Sequence, residues 1–205
     1  MAADLIPFQG ELEPDELYDG MAFDGSSFDG ADAAFDHFLE CAFSGVAFDG
    51  GSLRKARFTD TGLREARFVA CDLAETGWQD VTLAGCALAG VQVFSASMRR
   101  VTFRGCKLDS VNFRGAELTE VTFDDCDLRD VDFAGATLTR SAFGGSRLAR
   151  ADLTGTSLDQ ADLRGAELGL IIDRNSLSGA FVRTGQLVSI APVLAETMGI
   201  IVRDD

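Results

Sequence analysis

The side chains able to do covalent or metal chemistry are few and poorly placed for it. The sole histidine, His37, falls on an outward-facing slot with no nucleophile pattern beside it, which is the setting of a surface residue. The five cysteines, Cys41, Cys71, Cys86, Cys106 and Cys126, show no C-x-x-C spacing. Cys86, Cys106 and Cys126 recur at intervals of twenty, close enough for a disulfide if successive coils stack. Three in a row in a reducing compartment read instead as free core thiols. The run DDCDLRDVD over residues 124–132 is rich enough in carboxylates to raise a Ca²⁺ or Mg²⁺ site. It keeps the spacing of its neighbours, however, and reads as a solvated face. No serine elbow, phosphate loop or dinucleotide fingerprint is present. The residues therefore imply no enzyme, no metal and no cofactor.

What is left to act is charge. The chain carries 33 Asp and Glu against 18 Lys and Arg, a formal charge of −15. Such a balance repels nucleic acid and anionic membrane at long range and favours a basic partner. The excess is local: residues 1–50 hold 12 acids and no Lys or Arg, whereas residues 51–150 hold 13 acids and 14 bases. No apolar stretch reaches the ~20 residues that span a bilayer. The N-terminus lacks the basic and apolar regions of a secretion signal, so the expected location is cytoplasmic.

The elements that present this charge follow from one period. Every fifth residue from Phe23 to Leu168 gives 30 positions, all large and apolar except Ala33. Two residues before each comes a small or β-branched residue, such as Cys41, Val46, Ala56 and Ala66; Met21 and Asp36 depart from this. Neither a 3.6-residue helix nor a period-2 strand can hold that spacing on one side. The chain must turn after each unit. Small residues recur in columns twenty apart (Val81, Val101, Val121; Val91, Val111, Val131), as do the pairs Phe103/Phe123, Leu108/Leu128, Phe113/Phe133 and Leu118/Leu138. Four units close one coil, Gly and short polar residues making the corners. At the ~4.8 Å spacing of hydrogen-bonded strands, the rod is about 36 Å long.

The segments AELTEVTFDDCDLRDVDFAGATL and ADLTGTSLDQADLRGAEL resemble the A(D/N)LXX consensus of the pentapeptide-repeat family. That resemblance implies an all-β solenoid, a right-handed quadrilateral β-helix, over residues 21–168. The handedness comes from the family.

Residues 1–20 are acidic and out of phase, with isolated anchors Leu5, Ile6, Phe8, Leu12 and Leu17, and are expected to form an N-terminal cap or tail. Residues 169–205 are expected to form a C-terminal capping module. Leu187, Ile190, Leu194 and Met198 stand at helical spacing, with Thr184 as N-cap, Gly199 as stop, Pro192 kinking or splitting the helix, and a final strand at residues 199–202. The module either seals the last coil alone or also forms a two-fold dimer, because Val188, Ala191 and Ala195 make the helix apolar on more than one face. A dimer interface would use Leu187, Val188, Ile190, Leu194, Met198 and Ile201. Proteins of the Qnr and MfpA types dimerise through a similar element, and the resemblance extends the same expectation here.

Placed on the coil, the slot before each central residue gives one column of Asp32, Ser52, Asp72, Gln92, Asn112, Asp132 and Asp152, and a mixed one through Ser27, Arg67, Lys107 and Glu167. Leu39, Val69 and Phe94 are apolar at outward slots. The Qnr-type and MfpA-type resemblance implies DNA mimicry toward DNA gyrase, a type II topoisomerase, and protection from its poisons. Asp24, Asp29, Asp32, Asp49, Asp72, Asp132 and Asp152 would then stand in for phosphates. The basic cluster Arg54, Lys55, Arg57, Arg64 and Arg67 argues against a uniform mimic. The other reading is a scaffold or regulatory module binding some other protein.

Overall fold

A chain with a large apolar residue at every fifth position buries all of them only by turning after each one. The computed structural model, which describes residues 5–203, shows this as a four-sided parallel β-solenoid. Three walls are parallel sheets of 7, 8 and 8 short strands. The fourth is held by single bridges linking Asp32, Ser52, Asp72, Gln92, Asn112, Asp132 and Asp152. The columns read from spacing are real: Phe103 lies opposite Phe123, Leu108 opposite Leu128 and Leu118 opposite Leu138. Phe113 and Phe133 stack at 5.1 Å between ring centroids. The small-residue slot also points inward, with Val91, Val111 and Val131 fully buried.

The corners have a backbone cost. The last residue of each unit takes a left-handed conformation, which suits Gly105 (φ 59°) but is also adopted by Ala70 (φ 52°), Glu120 (φ 58°) and Asp130 (φ 51°). A non-glycine residue there is disfavoured by ~1–2 kcal/mol. Hydrogen bonding between coils offsets it, the Ala70 N–H donating to the Ala89 carbonyl at 2.9 Å and that of Asp130 to Ala149 at 2.8 Å.

Both ends differ from the expectation. Leu17–Asp19 pairs with His37–Leu39, and Tyr18 stacks on Phe38 at 5.2 Å with the rings 11° apart. Ile6 lies opposite Met21, fifteen positions on rather than twenty, and Phe8 stacks on Phe23 at 4.5 Å. Residues 5–20, read as out of phase, thus form a first coil one wall short. The frame is hidden because Glu13 occupies a central slot, exposed, while its neighbour Leu12 is buried. Residues 1–4 of that segment, and 204–205 of the C-terminal one, lie outside the described residues.

At the other end the wall does not stop at Leu168. Glu167–Ile171 pairs with Arg147–Asp152 through a register shift between Ala149 and Ala151, after which Leu170 faces Ala151 and Ile171 faces Asp152. One residue fewer in the coil throws the frame out, and pairing continues to Phe181 opposite Asp162. A single helix, Thr184–Thr197, then closes the end. Arg183, not Thr184, is its N-cap, and the Gln186 side chain accepts the Arg183 N–H at 2.8 Å. The same amide donates to the carbonyls of Leu163 (2.7 Å) and Ala166 (2.8 Å), tying the helix to the coil. Pro192 neither ends nor splits the helix; Val188, whose carbonyl loses its donor to the proline, is 69% exposed. Gly199 stops it as expected, at φ 71°, with the Ile200 N–H reaching back to Ala195 at 2.8 Å. The expected final strand does not form, because the helix lies over Glu167–Ile171, the wall edge open to pairing.

Candidate functional site

On the bridged wall the Asp slot is a turn-forming slot. Asp32, Asp72, Asp132 and Asp152 each accept the N–H two residues on, at 3.1, 2.9, 2.8 and 2.8 Å, and Asn112 does the same at 3.0 Å. A short carboxylate that closes a local turn replaces the backbone bonds this wall lacks. The column therefore exists first for the fold.

Ion pairing then removes much of the remaining charge. Residues twenty apart sit one above the other, and several opposite charges in such positions, or one or two residues to the side, meet. Arg100 grips Asp80 through two bonds of 2.5 and 2.6 Å, and Arg150 holds Asp130 through two of 2.6 Å. Hydrogen bonding from those guanidinium groups keeps both carboxyls below the usual carboxylate range. Of the proposed phosphate substitutes, Asp132 is paired with Arg114 (2.9 Å), Asp49 with Arg67 (3.4 Å) and Asp72 with Arg54 (3.7 Å). Arg54 also bonds Glu75.

The seven aspartates do not share one face. Asp24 lies on the first wall; Asp29 and Asp49 are opposite one another on the second; Asp32, Asp72, Asp132 and Asp152 follow the bridged wall. Asp24, Asp29 and Asp32 are exposed and outside any ion pair among the described residues, as are Glu11, Glu13, Asp15, Glu16, Asp19 and Glu40. Asp49–Arg67 is the single ion pair reaching residues 5–50 among those described. Free negative charge collects on the first coils, and the middle of the rod is neutralised.

Asp36 was visible in the sequence only as a departure from the small-residue slot. It is fully buried; one carboxyl oxygen accepts the Glu16 N–H at 3.1 Å and the other has no hydrogen-bond partner. Burial pushes its carboxyl up to about 6. The signal was a charge in an inward slot.

At the far end, Leu187, Val188, Met198 and Ile201 are exposed, with Ile200 and Val202 beside them. Ile190 is buried and Leu194 packs against the chain's own core, so these two belong to the seal. The outward Leu39, Val69 and Phe94 are half-buried, and the Arg54 guanidinium lies 5.6 Å from the Phe94 ring centre. His37 Nε2 is 3.1 Å from the Thr59 hydroxyl. All five cysteines are buried and unpaired; burial pushes the Cys41 thiol up and that of Cys71 up to about 11. Among the described residues no three His, Cys, Asp or Glu side chains are grouped to hold a metal ion, and no helix is long and apolar enough to cross a membrane.

Comparison with known proteins bears on the fold. Residues 76–153 match the family described as a pentapeptide repeat region. No curated protein sequence matches. HetL, a pentapeptide repeat protein involved in heterocyst differentiation regulation from the cyanobacterium Nostoc sp. strain PCC 7120, is similar in structure at 20% identity and a TM-score of 0.50, over 86% of this chain and 93% of that one. Two trypsin-treated forms of QnrB1, a plasmid-mediated fluoroquinolone resistance protein, are similar at TM-scores of 0.52. One is 21% identical over 92% of this chain and 95% of its own, the other 20% over 96% and 100%. At such identities the likeness is one of fold. Residues 76–153 match the pentapeptide-repeat family, and the coil they form continues in the same register from Leu17 to Leu168.

Proposed function

We propose that this chain is a non-enzymatic DNA mimic that binds the type II topoisomerase DNA gyrase, modulating it or protecting it from its poisons, and that two copies join through their C-terminal modules. The observation supporting it is the distribution of free charge: exposed carboxylates gather on the first coils and include Asp24, Asp29 and Asp32, with no Lys or Arg before residue 51. Mimicry in this form is confined to the N-terminal end, since Asp72 and Asp132 are spent on turns and ion pairs. A cationic groove that normally grips phosphates is the complementary surface, and attraction of this kind weakens with salt.

The test is gyrase supercoiling with and without the purified chain, in the presence and absence of a fluoroquinolone. Micromolar protein is expected to change supercoiling or drug inhibition, and the triple variant Asp24→Asn, Asp29→Asn, Asp32→Asn to need about ten-fold more protein for the same effect. No response to the unaltered chain would discard gyrase and favour a scaffold or regulatory module for another protein, which the neutralised middle of the rod also suits.

The dimer rests on the exposed apolar group Leu187, Val188, Met198 and Ile201. Sedimentation at tens of micromolar is expected to show a dimer, and the double variant Val188→Glu, Ile201→Glu a folded monomer. A monomeric unaltered chain would remove the dimer from the proposal and leave the charged end untouched.

A further inference from the structure

We propose that the wall built on Phe58, Trp78 and Met98 holds an anion site, a depression that takes a compact molecule bearing two oxyanion groups, phosphoryl or carboxylate. Gly77 and Ser97 put little side chain on this wall, and the surface sinks there to a volume of about 230 Å³ lined by Arg57, Thr59, Gly77, Gln79, Ser97 and Arg99, with the Trp78 and Phe58 rings beneath. Arg57 leans over the glycine: its Cγ is 3.6 Å from where a Cβ on Gly77 would stand.

The charge on this lining is not neutralised by ion pairs, a condition shared on other walls by Arg64, Lys107 and Arg129 among the described residues. Arg54, Arg67, Arg100, Arg104, Arg114, Arg140, Arg147 and Arg150 each meet a carboxylate of an adjacent coil. Arg57 and Arg99 have no ion pair among the described residues, and the stacking rule shows why. The positions one coil either side of Arg57 are His37 and Gly77, and those either side of Arg99 are Gln79 and Thr119. None of these stacked positions supplies a counter-charge, and Asp80 feels the charge of Arg99 without pairing with it. Asp60 and Asp80 lie on the adjoining corner, and Asp80 is held by Arg100.

Every polar side chain lining the depression can donate a hydrogen bond. The two guanidinium forks suit planar or tetrahedral oxyanions, and the Thr59 and Ser97 hydroxyls add neutral donors between them. Arg57 and Arg99 sit two coils apart, ~10 Å along the axis at the strand spacing. That separation matches two charged groups on one small molecule better than a single ion.

Trp78 is the sole tryptophan and lies directly under the depression, so its fluorescence reads the site. The full chain is titrated at low salt with pyrophosphate and, separately, with citrate, each against sodium chloride of equal ionic strength. A saturable change with at least one of them, absent with chloride, is expected; which of the two binds tighter separates phosphoryl from carboxylate ligands. Arg57→Ala and Arg99→Ala, both at exposed positions, are each expected to weaken binding about ten-fold or more. Gly77→Asp is the sharper variant, since a side chain fits there and would give Arg57 the same coil-to-coil partner the other arginines have; it is expected to abolish the response with the circular dichroism unchanged. A response that tracks ionic strength alone, or that persists in Gly77→Asp, overturns the proposal.

Discussion

Phe123→Ala is expected to cost about 3–5 kcal/mol of folding stability, the range for removing a large aromatic side chain from a packed interior. Phe123 sits in the middle of its column, stacked on Phe103 at 4.8 Å below and on Phe143 at 4.9 Å above. Phe113 and Phe133, on the opposite, bridged wall, meet it edge-on across the core at 6.4 and 6.1 Å. A cavity there cannot collapse, because each wall is tied to the coils on both sides by its own strand pairing. Phe123→Leu is expected to cost far less, since Leu83 and Leu63 fill the same column two and three coils away. Equilibrium denaturation of the two variants checks this, and near-equal losses would mean the rings are not packed as described. Solenoid coils contact only their neighbours, so the loss is expected to appear also as early unfolding of the C-terminal half rather than a uniform shift.

Asp36→Thr is expected to leave stability unchanged near pH 4 and to raise it by up to about 3 kcal/mol above pH 7. The folded carboxyl ionises at about 6, raised by burial above the ordinary value of 3.8. A folded pKa above the unfolded one means that the native state binds the proton more tightly. The penalty is therefore absent below the unfolded pKa, grows between about 4 and 6, and stays constant beyond. The nearby carboxylates of Glu16 and Asp32 act in the same direction, and backbone hydrogen bonds at Glu16 and Asp15 offset part of the rise. Threonine is already used in this column, where Thr76 donates its hydroxyl to the Leu73 carbonyl at 2.8 Å. Unfolding free energies measured from pH 4 to pH 8 decide the matter. A constant gap between the two proteins would show that burial does not raise the Asp36 carboxyl above its ordinary value.

The coil was legible because its rule is local. A large apolar residue at nearly every fifth position and a small residue two places earlier state which side chains go inside, whatever the neighbouring coils contain. Where the rule is broken by one residue, it stopped being readable. Glu13 in place of an apolar residue hid the first coil, and the short step between Leu168 and Leu170 hid the last one. Pro192 misled for a different reason, since a helix lying on the surface can lose one backbone bond to solvent without breaking.

Charge was legible as a total and not as a pattern. The sequence alone determined the square tube, the inward cysteines and the acidic first fifty residues, because each depends on residue type and spacing along one strand of chain. Only the tertiary structure decided that Asp132 closes a turn and pairs with Arg114, that Asp24 and Asp29 stay free, that Arg57 and Arg99 lack partners, and that Asp36 is sealed from water. Those outcomes depend on which side chains the stacking of coils brings within a few ångströms of one another, and Coulomb and desolvation energies are set by that distance and that burial.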